Sequence, residues 1–170
     1  MKITVMRHSD ALSRRDADVP YDADRPLSEV GRDEARAAGA FLRHSGLAPA
    51  MIACSPFVRT QETAALVAGE LDASAPVVPQ TELAPGSGTD DLLRSVEELD
   101  LDAGAWALAV LHQPDVGHIL GSLLCDGADW PFNVRTSDLF ALSIRLGGDE
   151  LSATLQAFYS ASAFAEGQRI

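Results

Sequence analysis

The chain has 170 residues, of which 46% are hydrophobic, and its formal net charge is −12 at pH 7. We expect one domain over residues 1–170 with a substantial core, and no nucleic-acid partner, because phosphate backbones attract basic surfaces. Since the sequence has neither a bilayer-length apolar run nor a signal-peptide pattern, we also expect a cytoplasmic protein with no membrane role.

The first predicted element is a buried strand over residues 2–6, in which Ile3 and Val5 are β-branched. This strand runs directly into Arg7 and His8. Ligands of open α/β sheets bind outside the carboxyl ends of the strands, so a cation and an imidazole at this point form a candidate site. The alternative is a surface arginine beside a hydrogen-bonded core histidine.

A long polar loop and the first helix follow. Residues 9–27 are charged and contain two prolines, which is typical of either a functional loop beside a site or a solvated connector. Ser28 is a good N-cap for the helix that follows, and Ser45-Gly46 ends it. One apolar stripe at spacings of three and four supports this helix: Ala35, Ala38, Phe41 and Leu42.

A second predicted strand, over residues 50–54, also ends in polar residues. We interpret Ser55 as the N-cap of the next helix and Pro56 as its first residue, and the helix reaches about Leu71. Arg59 falls on the first turn. Free backbone N–H groups, the positive end of the helix dipole and a cation together suit a phosphate.

The rest of the chain continues the alternation of strands and helices. The apolar run 106–111 predicts a central strand that ends at His112, and a helix over 115–124 follows it. Residues 139–146 and 150–158 predict a hairpin, and residues 160–170 a loose tail. Weaker patterns predict a short strand at 77–78 and a helix over 89–99. This order predicts an α/β, three-layer sandwich with a mostly parallel central sheet, in which strands 2–6, 50–54 and 106–111 are neighbours.

Three of these strands would carry their polar residues to one edge of the sheet. Two guanidiniums and two imidazoles, from Arg7, His8, Arg59 and His112, would then surround a helix N-terminus and form an oxyanion pocket. Such a pocket suits phosphoryl transfer through a covalent phosphohistidine. We expect neither a metal nor a cofactor, because the protein supplies the cations and no metal motif is present.

At these residues the sequence resembles the histidine phosphatase superfamily, whose fold is phosphoglycerate mutase-like. Within it, the short chain and the His-Gln-Pro segment resemble the SixA type of phosphohistidine phosphatase. The resemblance covers residues 1 to about 146 and is carried by four motifs: Met6-Arg7-His8, Arg25-Pro26-Leu27-Ser28 with Gly31, the segment from Ser55 to Ala64, and the segment from His112 to Gly117.

The resemblance implies roles for four residues. His8 would be the nucleophile that becomes phosphorylated, and Arg7, Arg59 and His112 would hold the phosphoryl group. Many relatives have glycine where this chain has Ser9. The Ser9 side chain would either crowd the phosphate or donate its hydroxyl to a phosphate oxygen, so Ser9 is a further candidate phosphate-binding residue.

The general acid is open at this point. Larger relatives protonate the leaving group with a carboxylate, and the candidates here are Glu82, Asp10 and Asp115. Each has a structural alternative, namely a solvated turn for Glu82 and capping or turn formation for the two aspartates. A phosphohistidine substrate relaxes the need for an acid, because imidazole is a better leaving group than an alkoxide.

Three functions fit these observations. The first is a metal-independent phosphatase that acts on phosphohistidine in a signalling or phosphotransfer protein. The second is a phosphomonoesterase for a small phosphate ester. The third is a module that binds phosphate without turnover, which Ser9 makes conceivable.

Overall fold

The computed structural model describes residues 1–125, 132–147 and 150–161. Within these ranges the strands are β1 (Lys2–Arg7), β2 (Met51–Cys54), β3 (Val77–Pro79), β4 (Trp106–Leu111), β5 (Leu139–Gly147) and β6 (Glu150–Tyr159). The longer helices are α1 (Glu29–His44), α2 (Val58–Gly69), α3 (Thr89–Glu97) and α4 (Asp115–Leu124). No helix in the described ranges is both long and apolar enough to cross a membrane.

The strands form one sheet in the order β3-β2-β4-β1-β5-β6. Strands β3, β2, β4 and β1 pair in parallel with one another, whereas β5 pairs antiparallel with both β1 and β6. The predicted neighbourhood of β2, β4 and β1 is therefore confirmed, as is the mostly parallel sheet. Because these three strands are parallel, their carboxyl ends meet at one edge.

Helices cover both faces of the sheet, which confirms the three-layer α/β sandwich. Side chains alternate along a strand, so Ile3 and Val5 pack into the core under α3 and α4, whereas Met6 packs under α1 and α2. The central strand β4 divides in the same way, with Leu111 on the first face and Leu108 on the second, both fully buried. Burial on both faces explains the continuous apolar run of β4.

The helix N-termini agree with the sequence at one site and differ at two. Ser28 is the N-cap of α1, and its hydroxyl accepts from the N–H of Gly31. The prediction that Ser55 caps α2 was wrong, because that helix begins at Val58 and the Ser55 hydroxyl pairs with a histidine ring instead. The prediction that Asp115 caps α4 was also wrong, since Asp115 is the first helical residue and its carboxylate accepts from the N–H of Gly86.

The C-terminal hairpin is confirmed, because β5 and β6 pair antiparallel. The residues of its turn, 148–149, and most of the tail predicted for residues 160–170 lie outside the described residues. A single domain over the whole chain stays a prediction.

Helix α1 lies unusually close to the backbone that follows β1. A Cβ atom at Gly31 would overlap the carbonyl group of Asp10, so only glycine permits this approach. Gly69, at the end of α2, provides a matched comparison, because a Cβ there would meet nothing within 4 Å.

We predict that Gly31→Ala lowers the free energy of unfolding by about 1–3 kcal/mol, since the added methyl group must push α1 away from the Asp10 backbone. Gly69→Ala should leave it unchanged or raise it by about 0.5–1 kcal/mol through the better helix propensity of alanine. Urea denaturation measures both. Equal effects of the two substitutions would show that the close approach does not constrain the fold.

Candidate active site

A cleft of about 340 Å³ opens at the carboxyl ends of β1 and β4, beside the start of α2. It brings together Arg7, His8, Arg59 and His112, the four residues that the sequence predicted to converge. The complete lining is Arg7, His8, Asp10, Ala11, Asp22, Arg25, Arg59, Pro85, His112, Gln113 and Thr136.

His8 is buried at the end of β1 and held by hydrogen bonds at both ring nitrogens. Its Nδ1 lies 2.7 Å from the carbonyl oxygen of Ser9, which can only accept, so Nδ1 carries the hydrogen. Its Nε2 accepts from Nε of Arg59 at 3.1 Å. Both bonds select the same neutral tautomer, whose free electron pair is on Nε2.

The surroundings of His8 also keep its ring neutral. The pKa of His8 is lowered to about 4, chiefly by burial and to a smaller extent by the positive charges of Arg59 and Arg7, against the opposing effect of the Ser9 carbonyl. Burial is thus the main cause of the neutral ring, and the guanidiniums are a smaller one. At neutral pH Nε2 is therefore unprotonated, and its electron pair accepts the hydrogen bond from Arg59.

His112 lies beside His8, with its ring centroid 5.3 Å away. Its Nδ1 accepts from Nη2 of Arg59 at 3.3 Å, because a guanidinium has no acceptor. Its Nε2 therefore donates to Oγ of Ser55 at 2.8 Å. Burial lowers the pKa of His112 to about 3, helped by repulsion from Arg59 and from His8, which is protonated first as the pH falls.

Arg59 contacts both histidines from the first turn of α2, and its side chain is 6% exposed. The guanidinium lies over the ring of Phe57, 4.9 Å from the ring centroid, in a cation–π contact. Nη1 donates to the carbonyl oxygen of Asp22 at 2.8 Å, and Nη2 donates to its carboxylate at 3.0 Å. The guanidinium is thus fixed in position by its own chain.

Two further arginines line the cleft. Nη1 of Arg7 donates to the carbonyl oxygen of Val134 at 2.7 Å, which fixes that side chain against the segment before β5. Nε of Arg25 donates to the carbonyl oxygen of Leu12 at 2.6 Å. The lining contains three arginines and two aspartates, and both of its histidines are neutral. Its formal charge is therefore positive, although the formal net charge of the whole chain is −12.

The three candidate acids lie in different places. Asp10 lines the cleft, and its carboxylate accepts from the hydroxyl of Ser28 at 2.5 Å. Glu82 is exposed on a turn outside the lining residues. Asp115 is buried and, as described above, holds the N–H of Gly86. The structure thus brings Asp10 to the cleft and leaves the other two outside it.

Ser9 is fully buried and does not line the cleft. Its hydroxyl lies 2.5 Å from the hydroxyl of Ser137, and its N–H donates to Oγ1 of Thr63 at 3.1 Å. The sequence suggested Ser9 as a phosphate-binding residue, whereas the structure places its side chain outside the cleft lining.

Several lining residues were not identified as site residues from the sequence, among them Asp22, Gln113 and Thr136. Asp22 and Arg25 belong to the polar loop 9–27, whose length was a signal but did not indicate which residue matters. The described ranges contain no group of three or more His, Cys, Asp or Glu side chains that could hold a metal ion.

Comparison with known proteins identifies the relatives of this chain. A family model described as the histidine phosphatase superfamily (branch 1) matches residues 3–85. The phosphohistidine phosphatase SixA of Escherichia coli (strain K12) is 31% identical over 151 residues, which cover 88% of this chain and 89% of the relative.

Two solved structures show that the fold is shared. The protein histidine phosphatase SixA complexed with tungstate has a TM-score of 0.79 at 24% identity and covers 96% of this chain and 99% of its own. The alpha-ribazole phosphatase from Shigella flexneri has a TM-score of 0.65 at 19% identity, with coverages of 95% and 97%.

The two buried histidines predict how stability depends on pH. Between about pH 6.5 and pH 4, the unfolded chain binds protons on His8 and His112 that the folded protein does not. Their contribution to stability is therefore complete above pH 6.5 and is lost as the pH falls towards 4. Replacing His112 with Gln should make the slope of unfolding free energy against pH shallower by up to about 1.4 kcal/mol per pH unit. Urea denaturation of both proteins at each pH measures the slopes, and identical slopes would contradict the burial argument.

Proposed function

The chain belongs to the histidine phosphatase superfamily and is a phosphatase, and we propose that it hydrolyses phosphohistidine on a signalling or phosphotransfer protein. One observation carries this proposal. The Nε2 atom of His8 has its electron pair at a cleft lined by arginines, while the Ser9 carbonyl fixes the hydrogen on the opposite nitrogen. This is the arrangement that a nucleophilic imidazole needs.

The proposed reaction has two displacements at phosphorus. In the first, Nε2 of His8 attacks the phosphorus atom, and the bond between phosphorus and the substrate imidazole breaks. The substrate ring leaves with the bonding electron pair as neutral imidazole, provided that its other nitrogen already carries a proton. In the second, water attacks the phosphorus on His8, which releases inorganic phosphate and restores the free imidazole.

The neighbouring residues support both displacements. Arg7 and Arg59 would pair with the phosphoryl oxygens, and His112 would provide a further polar contact across the cleft. These guanidiniums stabilise negative charge at the phosphoryl group without a metal ion. We therefore propose that turnover is metal-independent.

A phosphohistidine substrate is supported by the leaving group and by the relatives. Asp10 is the one candidate acid at the cleft, and the Ser28 hydroxyl already donates to its carboxylate. Imidazole needs less protonation than an alkoxide to leave. The Escherichia coli relative is named a phosphohistidine phosphatase, and the solved SixA structure contains tungstate, a tetrahedral oxyanion like phosphate.

A small phosphate ester is the second candidate. Asp10 could protonate an alkoxide leaving group from its place at the cleft, and a protein named alpha-ribazole phosphatase shares the fold. The third hypothesis, binding without turnover, was based on Ser9, whose hydroxyl lies outside the cleft lining.

We predict that His8→Ala lowers kcat/KM on a phosphohistidine protein by about 10³-fold or more, because it removes the nucleophile. His44→Ala is the matched control, since His44 is exposed at the end of α1 and outside the cleft, and it should keep wild-type activity. Addition of a chelator should change neither rate. Thermal unfolding, together with the His8→Asn variant, checks that loss of activity is not loss of fold.

The same assay with a panel of phosphate monoesters distinguishes the two substrate classes. A higher kcat/KM on a monoester than on the phosphohistidine protein would favour the second candidate. Wild-type activity in folded His8→Ala protein would contradict the proposed role of His8 for either substrate.

A further inference from the structure

The loop residue Asp22 occupies the hydrogen-bond donors that Arg59 would offer to a phosphate. Its backbone carbonyl accepts from Nη1 and its Oδ2 accepts from Nη2, at 2.8 Å and 3.0 Å. The remaining nitrogen, Nε, donates to His8, and the second N–H of Nη2 donates to His112. Every nitrogen of the Arg59 guanidinium is therefore already paired within the chain.

The Asp22 carboxylate is bound as an anion would be bound between two arginines. Its Oδ1 accepts from Nη1 of Arg25 at 3.0 Å, while its Oδ2 accepts from Arg59. Both arginines and Asp22 line the cleft. Hydrogen bonds from these two guanidiniums lower the pKa of Asp22, so its carboxylate is charged at neutral pH. A phosphoryl group carries the same sign of charge and seeks the same guanidinium donors.

We propose that Asp22 competes with phosphate for Arg59 and thereby weakens the binding of the free phosphate product. This inference rests on the proposed function in one respect, namely that Arg59 is a phosphoryl ligand. When a phosphoryl group enters, the Asp22 carboxylate gives up Nη2 of Arg59 and turns towards solvent.

Asp22 is the partner that can move. Its side chain is 53% exposed, and it begins a short 3-10 turn, Asp22–Asp24, within the polar loop. The Arg59 side chain is 6% exposed and is held by the Phe57 ring and by His8. An ion pair with one exposed partner contributes little to stability, so displacing the Asp22 carboxylate from Arg59 costs little free energy.

This competition lowers the affinity with which ligands bind at Arg59. A protein molecule is ready to bind only while Asp22 is displaced, so the apparent affinity of every ligand at Arg59 falls by the same factor. Inorganic phosphate has all its contacts inside the cleft and cannot recover this loss. Asp22 therefore weakens the retention of the free phosphate product, whereas a protein-borne phosphoryl group can stay bound through additional contacts outside the cleft.

Calorimetric titration with inorganic phosphate tests the proposal. Asp22→Asn and Asp22→Ala should each lower the Kd for phosphate by about tenfold, as expected if nine molecules in ten hold Asp22 against Arg59. Asp24→Asn is the matched control, because Asp24 is exposed in the same turn, lies outside the cleft lining and changes the net charge equally. Its Kd should stay within about twofold of wild type, since the exposed Asp24 carboxylate does not line the cleft and acts on it only through solvent and salt.

Two results would overturn the proposal. An unchanged or higher Kd in both Asp22 variants, with thermal unfolding as in wild type, would mean that Asp22 orients Arg59 rather than competing with the ligand. An equal gain in Asp24→Asn would mean that net charge is responsible. The Arg59→Ala variant tests the proposed function separately. If this variant binds phosphate as wild type does, the phosphate site of the proposed function is wrong, whatever the Asp22 variants show.

Discussion

The burial of a neutral His8 at the end of β1 is the constraint on which the rest of the site depends. Burial penalises the protonated ring, and the two hydrogen bonds of the ring have opposite polarity, with the Ser9 carbonyl accepting and Arg59 donating. One consequence is a single tautomer with its electron pair on Nε2. A second consequence is that Arg59 must stay within hydrogen-bond distance of His8. The same contact therefore fixes the nucleophile and holds a cation beside the phosphoryl group that His8 would attack.

The sheet order makes this contact possible. Parallel pairing of β1 with β4, and of β4 with β2, places His8, His112 and the start of α2 at one edge. Ser55 shows how the local chain serves this arrangement, because its hydroxyl accepts from the His112 ring instead of capping α2. The long-range hydrogen bond between Ser55 and His112 thus takes the place of the helix cap that the local sequence favours.

The strands, the neighbourhood of β1, β2 and β4, and the four converging residues could be predicted because each depends on short-range pattern or on general rules of parallel sheets. Ser28 was predicted correctly as a cap because capping is local. Ser9 and Asp22 were not predictable in this way, since the partners of each lie far along the chain: Ser137 for Ser9, and Arg59 for Asp22. Their roles follow from tertiary packing, which no local pattern encodes.

The fold alone does not identify the substrate, because structures named for different phosphate substrates share it. The central claim is that His8 becomes phosphorylated, and rapid-quench trapping during turnover tests it most directly. Wild-type protein mixed with a labelled phosphohistidine protein should accumulate acid-labile, alkali-stable phosphate, which peptide mapping assigns to His8. Steady turnover with no trapped phosphate at any quench time, or with the label on a different residue, would contradict the account.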